Sequence, residues 1–396
     1  MVLGEIIGGS GIFVDGDWIE SKDQNPAGDV RLIQLADIGA GDFTDKSNRY
    51  ITSNKATELN CTFLKKGDIL IARLGDPLCK ACMFPLDGQY ITAVDIAIFR
   101  TDRQDISRKY LVYLLNSPWF KGQVKKYESG TTRKRISRKN LNKIELPIPP
   151  LPEQERIVAR IEELFPQLDS GVETLKKTKE QLAVYRQAVL KEAFEGITEF
   201  ASIRSVSTLV TSGSRGWAQY YSNTGAKFIR IGNLTRDSID IDLNDIQYVD
   251  LPNKAEGLRT RLEKDDVLIS ITADLGSIGL VLENIGEAYI NQHIALVRFK
   301  NPSQGKFMAW YLRSEKGQKD LLKNKRGGGK LGLGLDDIRD SRVPVVSEDD
   351  AERIVNSIES RLSVCDSIEK TVDVALQQAE AMRQSILKKA FEGELA

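Results

Sequence analysis

Cysteine and histidine residues are the places where this sequence could carry metal or acid–base chemistry. Cys79 and Cys82 have the C-x-x-C spacing of zinc and redox sites, but zinc needs further nitrogen or sulfur ligands and only Cys61 lies nearby. The single histidine, His293, lies in a strand-like run with no nucleophile motif beside it. We therefore expect buried, unreactive thiols, a structural histidine and no metal or catalytic site.

The glycine- and proline-rich segments also lack the patterns of cofactor sites. Residues 9–11 (GSG) miss the third glycine of a dinucleotide fingerprint, and residues 327–330 (GGGK) miss the spacing and final Ser or Thr of a P-loop. Residues 147–152 (PIPPLP) have neither the polar residue nor the aromatic residue of an adenine methyltransferase motif. The sequence therefore predicts a non-catalytic chain without a cofactor of its own.

Two basic segments in corresponding places indicate contacts with phosphate. Residues 121–139 contain eight Lys or Arg and one Glu, and residues 313–330 contain seven against two acids. One such run is usually a solvated surface, whereas a matched pair favours binding to a nucleic-acid backbone. The candidate phosphate-binding residues are Thr131, Thr132, Arg133, Lys134, Arg135, Lys325, Arg326 and Lys330.

Base reading is expected from polar side chains on the variable loops around these segments. Arginine pairs with guanine, and asparagine or glutamine with adenine, through two hydrogen bonds. Trp18 and Trp217 lie near a glycine in corresponding places, and we expect both to anchor the core and not to stack on bases. The candidate base-reading residues are Arg31, Gln34, Ser212, Ser214, Arg215, Arg230 and Asn233.

An internal repeat supplies the framework that positions these residues. Residues 185–196 (YRQAVLKEAFEG) return as residues 382–393 (MRQSILKKAFEG), and residues 31–38 match residues 227–234 with an offset smaller by one residue. The change in offset places insertions in loops around a shared set of strands. The chain therefore predicts two halves that are alike in scaffold and different in loops.

In each half the sequence predicts an α+β domain followed by one long spacer helix. The domains are residues 1–146 and 197–343, and the helices that follow them are residues 147–196 and 344–396. Short β-branched runs separated by turn residues fill the domains. In the helices, apolar residues recur at three- and four-residue steps, which is typical of a coiled coil. The predicted seam comprises Ile157, Ile161, Leu164, Leu168, Leu175, Leu182, Tyr185 and Val189 in the first helix, and Ile354, Ile358, Cys365, Ile368, Val372, Ala375, Ala379, Met382 and Ile386 in the second.

The matched lengths of the helices favour pairing within one molecule over dimerisation between chains. Antiparallel pairing relates the halves by a pseudo-twofold axis, which suits the local twofold axes of duplex DNA. Ser347 followed by Asp350 predicts the cap of the second helix. The expected fold class is α+β, with two tandem α+β domains separated by two long helices that form an intramolecular antiparallel coiled coil.

Composition limits the function classes. A chain of 396 residues with 41% hydrophobic and 28% charged residues fits several soluble domains. The formal net charge of zero does not by itself indicate a nucleic-acid partner. The absence of a long apolar run and of a signal-peptide pattern, together with four scattered cysteines, predicts a cytoplasmic protein with no membrane contact.

Several motifs together resemble the specificity subunit of type I restriction–modification systems. They are residues 149–158 (PPLPEQERIV), the duplicated AFEG helix ends, and residues 212–217 (SGSRGW) followed by residues 228–234 (FIRIGNL). The likeness covers essentially the whole chain, although residues 347–355 (SEDDAERIV) lack the Pro-Pro and Gln of the usual helix lead-in. The resemblance implies a non-catalytic subunit with two target-recognition domains, each reading one half of a split double-stranded DNA site.

The resemblance also implies a role and partners for the helices. They would fix the gap between the half-sites and dock two DNA adenine methyltransferase subunits, and two nuclease/translocase subunits can join such a complex. S-adenosylmethionine, ATP and magnesium would belong to these partners. The alternatives are the specificity subunit of another methyltransferase-coupled restriction system, a coiled-coil scaffold that binds protein and not DNA, and a chain that is itself a methyltransferase.

Overall fold

The computed structural model describes residues 1–252, 259–282, 285–323, 325 and 332–393. The chain divides into two compact units, residues 1–175 with 373–396 and residues 176–372. Each unit contains one α+β domain and one part of each long helix, and the predicted domain limits at residues 146, 196 and 343 stay predictions. Among the described residues, no helix combines the length and the apolar composition that a membrane span requires.

The domain of the first unit contains two sheets. Its strands are β1 (Ile12–Asp15), β2 (Val30–Ile33), β3 (Tyr50–Ile51), β4 (Ile69–Ala72), β5 (Ala81–Met83), β6 (Tyr90–Thr92) and β7 (Ile96–Arg100). Its helices are α1 (Ser53–Glu58), α2 (Arg108–Asn116), α3 (Pro118–Val124) and α4 (Arg138–Leu141), and the long helix α5 (Leu151–Ala193) follows. One sheet has the order β1-β7-β4-β5 and is antiparallel. The other has the order β3-β2-β6, in which β2 and β6 are parallel.

The domain of the second unit repeats this arrangement. Its strands are β8 (Phe200–Ser202), β9 (Ser207–Ser212), β10 (Tyr221–Ser222), β11 (Ala226–Ile229), β12 (Gln247–Val249), β13 (Val267–Ser270), β14 (Ile278–Leu280), β15 (Ala288–Ile290), β16 (Ile294–Phe299) and β17 (Arg342–Pro344). Its helices are α6 (Ile203–Val206), α7 (Gly305–Arg313), α8 (Glu315–Leu322) and α9 (Leu335–Asp340), and the long helix α10 (Glu348–Glu392) follows. The order β14-β13-β16-β9 matches β5-β4-β7-β1, and β11 and β15 are parallel as β2 and β6 are. The sequence repeat is therefore a structural repeat.

Central strands explain why the scaffold is shared. All four residues of β4 and all four residues of β13 are buried, because each strand pairs on both edges and its two faces are covered. Short apolar runs are the sequence signal of such buried strands. A strand of this kind admits a polar residue only where a hydrogen-bond partner is present, as at Ser270 of β13, whose hydroxyl donates to the Asp274 carbonyl oxygen.

The helices α5 and α10 run in opposite directions in each unit. In the second unit, Arg186 pairs with Asp366 at 2.6 Å, and Arg361 pairs with Glu192 at 2.9 Å. Later residues of α5 therefore meet earlier residues of α10. In the first unit, Arg383 of α10 pairs with a carboxylate of α5 in the same sense. These contacts confirm the predicted intramolecular antiparallel coiled coil, and so the predicted α+β fold class.

Burial supports much of the predicted seam and corrects three of its positions. Tyr185, Ile368 and Met382 are exposed, so they are not buried positions of the seam, although Arg361 of α10 donates to Tyr185 Oη at 3.2 Å. In the second unit, Arg186 lies at the helix interface next to Tyr185, because its guanidinium bonds the carboxylates of two α10 residues. The buried seam residues include Ile157, Ile161, Leu182, Val189, Ile358, Cys365 and Val372.

The predicted cap of the second helix is present. The Asp350 amide donates to Ser347 Oγ at 3.2 Å, and Ser347 Oγ donates to the Asp350 carboxylate at 2.8 Å. This arrangement satisfies one of the free amides at the start of α10.

Candidate nucleic-acid interface

The basic segment of the first domain contains a closed loop. The amides of Ser129 and Arg135 donate to each other's carbonyl oxygens, both at 2.9 Å. Gly130 has a φ of +90°, and a Cβ at this position would lie 2.4 Å from the Arg133 carbonyl oxygen, so the turn requires glycine. The exposed residues at the tip are Thr131, Thr132 and Arg133.

A neighbouring segment holds this loop against the central sheet. The Gly75 amide donates to the Lys134 carbonyl oxygen at 3.0 Å, and the Ile136 amide donates to the Arg73 carbonyl oxygen at 3.0 Å. Arg73 directly follows β4, which is buried. The basic tip is therefore presented on a backbone that the core fixes.

The cations of the loop differ in how far they are neutralised. The Lys134 ammonium lies 3.6 Å and 3.8 Å from the carboxylates of Asp76 and Glu128, and Arg135 lies 3.5 Å from another carboxylate. Arg133 is exposed and forms no ion pair with any residue that the structure describes. Arg133 is thus the cation of the loop with the least internal competition for a phosphate.

Part of the basic run does not face solvent. Lys121 is partly buried, and its ammonium donates to the carbonyl oxygens of Leu78 at 2.7 Å and Cys79 at 2.6 Å. Burial lowers the pKa of Lys121 to about 8. Arg138 is 3.4 Å from Asp15 and is committed to an ion pair. The interpretation of the whole run as one basic surface is therefore corrected to the loop and a few flanking lysines.

In the second domain, residues just beyond the basic segment meet the sheet at the corresponding place. Thr272 bridges Gly332, and the Leu333 amide donates to the Ile271 carbonyl oxygen at 3.0 Å, as Ile136 does to Arg73. Lys325 is exposed. The predicted phosphate contacts Arg326 and Lys330 lie outside the described residues.

Three backbone segments meet at one edge of the first domain, beside the ends of the parallel strands. Asp17 bridges Ala93, and the Ala93 amide donates to the Ile33 carbonyl oxygen at 3.0 Å. Gln34 directly follows Ile33 and is half-buried. The candidate base-reading residue Gln34 therefore belongs to an edge built from three separate parts of the sequence.

A groove of about 390 Å³ lies between the turn that follows Gln34 and the basic loop. The turn after β2 contributes Leu35 and Ala36, the loop after β4 contributes Leu74 and Pro77, and the basic loop contributes Arg133. The structure thus brings the neighbourhood of Gln34 and the phosphate candidate Arg133 together in one surface.

The same crossing occurs in the second domain. Ser214 bridges Asn291, whose amide donates to the carbonyl oxygen preceding Arg230 at 3.1 Å. Arg230 and Asn291 line a cavity of about 370 Å³, and Arg230 lies 3.4 Å from the Asp245 carboxylate. Arg215, which follows the bridge, is exposed and has no ion pair within the described part of the chain. The structure therefore brings Ser214, Arg215 and Arg230 to one edge.

Gly213 is required where the segments cross. A Cβ at Gly213 would lie 2.1 Å from the Ile290 carbonyl oxygen, a distance that forces the backbone to move. The neighbouring Ser212 is half-buried and pairs with Ala295 in the sheet. Ser214 Oγ is buried without a hydrogen-bond partner among the described residues, so in this structure it is not accessible to a ligand.

We expect Gly213→Ala to lower the free energy of unfolding by about 2 kcal/mol or more, because overpacking of this kind costs about 1–3 kcal/mol. Gly171→Ala is the matched control, since Gly171 lies in α5 with open space around an added Cβ. Alanine there should raise the free energy of unfolding by about 0.5–1 kcal/mol. Urea unfolding measures both values, and similar effects of the two substitutions would contradict the crossing geometry.

Two predicted base-reading residues have internal roles. Arg31 is half-buried and pairs with Asp45. Asn233 is 4% exposed, its Nδ2 donates to the Asp242 carbonyl oxygen at 2.8 Å, and its Oδ1 accepts from the Arg230 amide at 2.8 Å. Because the asparagine amide is committed inside the protein, we remove Asn233 from the candidate base contacts.

His293 has hydrogen-bond partners within its domain, and the thiols of Cys79 and Cys82 are buried. His293 lies in a turn and not in a strand, with Nδ1 2.7 Å from Thr272 Oγ1 and Nε2 2.9 Å from Gln292 Nε2. Burial raises the pKa of Cys79 to about 11 and that of Cys82 to about 12, so both thiols are protonated at neutral pH. Within the described ranges, no three acidic, histidine or cysteine side chains are grouped as metal ligands.

The prediction that both tryptophans anchor the core is correct for Trp217 and wrong for Trp18. Trp217 is 5% exposed and stacks on Phe228 at 5.2 Å, as expected of a core anchor. Trp18 is 70% exposed, so its assignment to the core is wrong. Strand pairing gives the reason. Trp18 follows Asp17, the bridge residue of the first domain, and Arg215 follows Ser214, the bridge residue of the second domain. Trp18 therefore corresponds to Arg215 and not to Trp217.

Sequence reasoning missed Asn291 and Trp18 as residues of this edge. A nearby signal was available, because the matched pair Tyr289-Ile290 directly precedes Asn291, and Tyr90-Ile91 lies one residue further from the crossing at Ala93. The bridge itself joins positions that are far apart in the chain, and no local pattern marks it.

The fold and the paired edges define a class: a duplicated protein whose two α+β domains each carry a polar edge beside a basic segment, on an antiparallel helix pair. The family model for the type I restriction modification DNA specificity domain matches residues 10–183 and 196–378. The chain belongs to this family.

Individual relatives agree with this assignment. The type I restriction enzyme EcoBI specificity subunit of Escherichia coli is 27% identical over 311 residues, which cover 70% of this chain and 64% of the relative. The StySPI specificity subunit of Salmonella potsdam is 27% identical over 315 residues, covering 73% and 66%. The matches thus span just under two thirds of the length of these relatives.

A solved structure supports the fold. A chain from work on complex assembly and conformational transition of the type I R-M system superposes with a TM-score of 0.76, at 18% identity, over 100% of this chain and 97% of that chain.

Proposed function

We propose that this chain is the non-catalytic, DNA-reading specificity subunit of a type I restriction–modification complex, with each domain reading one half of a bipartite double-stranded site. The observation that carries the proposal is the repeated crossing of three segments, which places a polar edge beside a basic segment in both domains. Two equivalent edges in one chain fit a target with two halves. The different side chains on the two edges fit halves of different sequence.

The edges divide the contacts into two kinds. In this proposal Gln34 in the first domain, and Arg215 and Arg230 in the second, meet base edges, which carry the sequence information. The cations Arg133 and Lys325, with the sequence candidates beside them, are suited to phosphates, which position the protein without specifying sequence.

The helices serve two further purposes in this proposal. They set the gap between the half-sites, and they dock two DNA adenine methyltransferase subunits. Apolar side chains on α5 and α10 of the second unit support docking, since Val184 is 71% exposed and Val364 is 58% exposed. Docking of a partner on these helices would cover such exposed apolar side chains. S-adenosylmethionine, ATP and magnesium then belong to the methyltransferase and to any nuclease/translocase subunits.

Salt-dependent DNA binding tests the proposal. We expect Arg133→Ala to weaken binding of the full chain about equally for all DNA sequences, and to reduce the slope of log K against log salt by about 0.9, the value for one lost phosphate contact. Lys177→Ala on the exposed surface of α5 is the control and should leave the slope unchanged. Fluorescence anisotropy over a salt series measures both.

The rival functions give different results in simple assays. A coiled-coil scaffold would show no steep salt dependence with any DNA. A chain that is itself a methyltransferase would transfer a labelled methyl group from S-adenosylmethionine to DNA without a partner subunit. Either result would overturn the proposed function.

A further inference from the structure

We infer that Trp18 reads sequence in the first half-site, by apolar contact of its indole ring with the 5-methyl group of a thymine. The inference rests on the proposed function and adds a residue and a base type to it. Four observations carry it: the exposure of the ring, its place in the fold, the pairing of the charges around it, and the side chain found at the equivalent position.

Exposure sets Trp18 apart from the other tryptophans of the chain. Its exposed fraction is 70%, whereas Trp217 and Trp310 are buried. The Trp18 Nε1 group donates to Glu20 Oε1 at 3.3 Å, so the polar atom of the indole has a partner. What remains free is the apolar ring, and holding that much apolar surface in water is unfavourable.

The position of Trp18 is fixed by the same crossing as that of Arg215. A Cβ at Gly16 would lie 2.3 Å from the Ala93 carbonyl oxygen, and a Cβ at Gly213 would lie 2.3 Å from the Asn291 carbonyl oxygen. Both glycines let one backbone pass directly over another. Trp18 lies two residues beyond the first glycine, and Arg215 lies two residues beyond the second.

The neighbouring strand connects Trp18 to the rest of the interface. Ala93 joins the Trp18 segment to the strand end that precedes Gln34. Asp95, two residues beyond Ala93, lies 3.5 Å from Arg135 of the basic loop. Trp18 is therefore on the edge that carries both the amide candidate for base reading and the phosphate-binding loop.

Acidic residues near Trp18 are mostly neutralised within the domain. Asp15 lies 3.2 Å from Arg73 and 3.4 Å from Arg138, and Glu20 lies 2.7 Å from Lys22. These pairs reduce the repulsion that carboxylates would exert on DNA phosphates.

The carboxylate of Asp17, next to Trp18, also has a hydrogen-bond partner within the domain. Asp17 accepts from the Thr62 amide at 3.0 Å, and burial raises its pKa to about 6. Its hydrogen bond points into the domain, so the ring of Trp18 is the part of this segment that is offered to a ligand.

The equivalent position indicates which base group the ring meets. In the second domain the position holds Arg215, a side chain suited to guanine in the major groove. An indole at the same depth cannot form that pair of hydrogen bonds. The apolar group that base pairs present in the major groove is the thymine methyl, so a ring in this place favours an A·T pair.

The experiment uses the full chain and its target, which methylation-sensitive sequencing of the host genome defines. Trp18→Ala should weaken binding to the target by about fivefold or more, because it removes a large apolar contact. Trp18→Phe, which keeps a ring, should lose less. Replacing thymine by uracil in the first half-site removes only the methyl group and should weaken wild-type binding by about fourfold.

The inference requires that the Trp18→Ala substitution and the replacement of thymine by uracil remove the same contact. Uracil in the first half-site should have no further effect on Trp18→Ala, and uracil in the second half-site should affect both proteins equally. A first half-site without an A·T pair, or an equal uracil effect in wild type and variant, overturns the inference. A variant that binds DNA as wild type but loses its methyltransferase partner also overturns it and assigns Trp18 to a protein interface.

Failure of this inference can be told apart from failure of the proposed function. If wild-type protein binds no DNA with sequence preference, the proposed function itself is wrong. If wild-type binding is specific and Arg133→Ala weakens it, while Trp18→Ala does not, only the role of Trp18 is wrong.

Discussion

We expect that exchanging residues 1–146 for the corresponding domain of another family member will change one half of the DNA target and leave the other half unchanged. The physical reason is that each edge is built within its own domain, from segments that the core of that domain fixes. Mismatched base pairs cost about 1–3 kcal/mol each and add roughly, so the exchanged half should discriminate against the original sequence by at least about 100-fold.

Methylation-sensitive sequencing of a host that carries the hybrid gene measures this result. The junction needs care, since Tyr113 packs edge-on against Phe165 of α5 and Tyr110 against Phe391 of α10, all within the first unit. A donor domain with aromatic residues at both positions is therefore the suitable choice. The reciprocal exchange of residues 197–343 is the control and should change the other half. A hybrid in which both halves change would show that the domains do not read independently.

Lengthening both long helices by four residues should widen the gap between the half-sites by about two base pairs. Four helical residues add about 6 Å at 1.5 Å each, and the rise of duplex DNA is about 3.4 Å per base pair. The insertions belong after Leu182 in α5 and after Glu369 in α10. Arg186 pairs with Asp366 and Glu369 of α10, so the two new turns would face each other and these pairs would be kept, whereas the ion pair between Lys179 and Glu369 would be separated.

The single insertion after Leu182 is the informative comparison. It displaces α5 against an unchanged α10, so we expect it also to change the gap, with a loss of stability from the shifted seam. The bases read in each half should be the same in all three proteins, because no insertion touches an edge. If the protein with both insertions still directs methylation to sites with the original spacing, the helices do not set the gap between the half-sites.

Duplication followed by divergence explains the organisation of the interface. The crossing glycines Gly16 and Gly213 are in equivalent places, whereas the residues two positions later, Trp18 and Arg215, differ completely in chemistry. Gln34 and Arg230 form a second such pair. A shared scaffold with different side chains at matched points is what a protein needs to recognise an asymmetric site with two similar domains.

The sequence alone determined the elements whose signals are local or periodic. The repeat, the two long helices and the cap at Ser347 follow from local patterns, because a helix shows its buried face every three to four residues, and the matched lengths of the helices favoured their pairing within one molecule. The buried central strands were equally visible, since an uninterrupted apolar run such as β4 has few alternatives.

Tertiary structure decided everything that depends on which segments meet. Asn233 matched a base-reading residue by type, yet it closes a turn inside the second domain. Tyr185 fitted the heptad spacing but is exposed beside Arg186, whose ion pairs hold the interface. Trp18 looked like a core residue and is exposed, because a bridge between distant strands aligns it with Arg215. Burial is set by neighbours that lie far away in the chain, and residue type reports only what a side chain could do once those neighbours are in place.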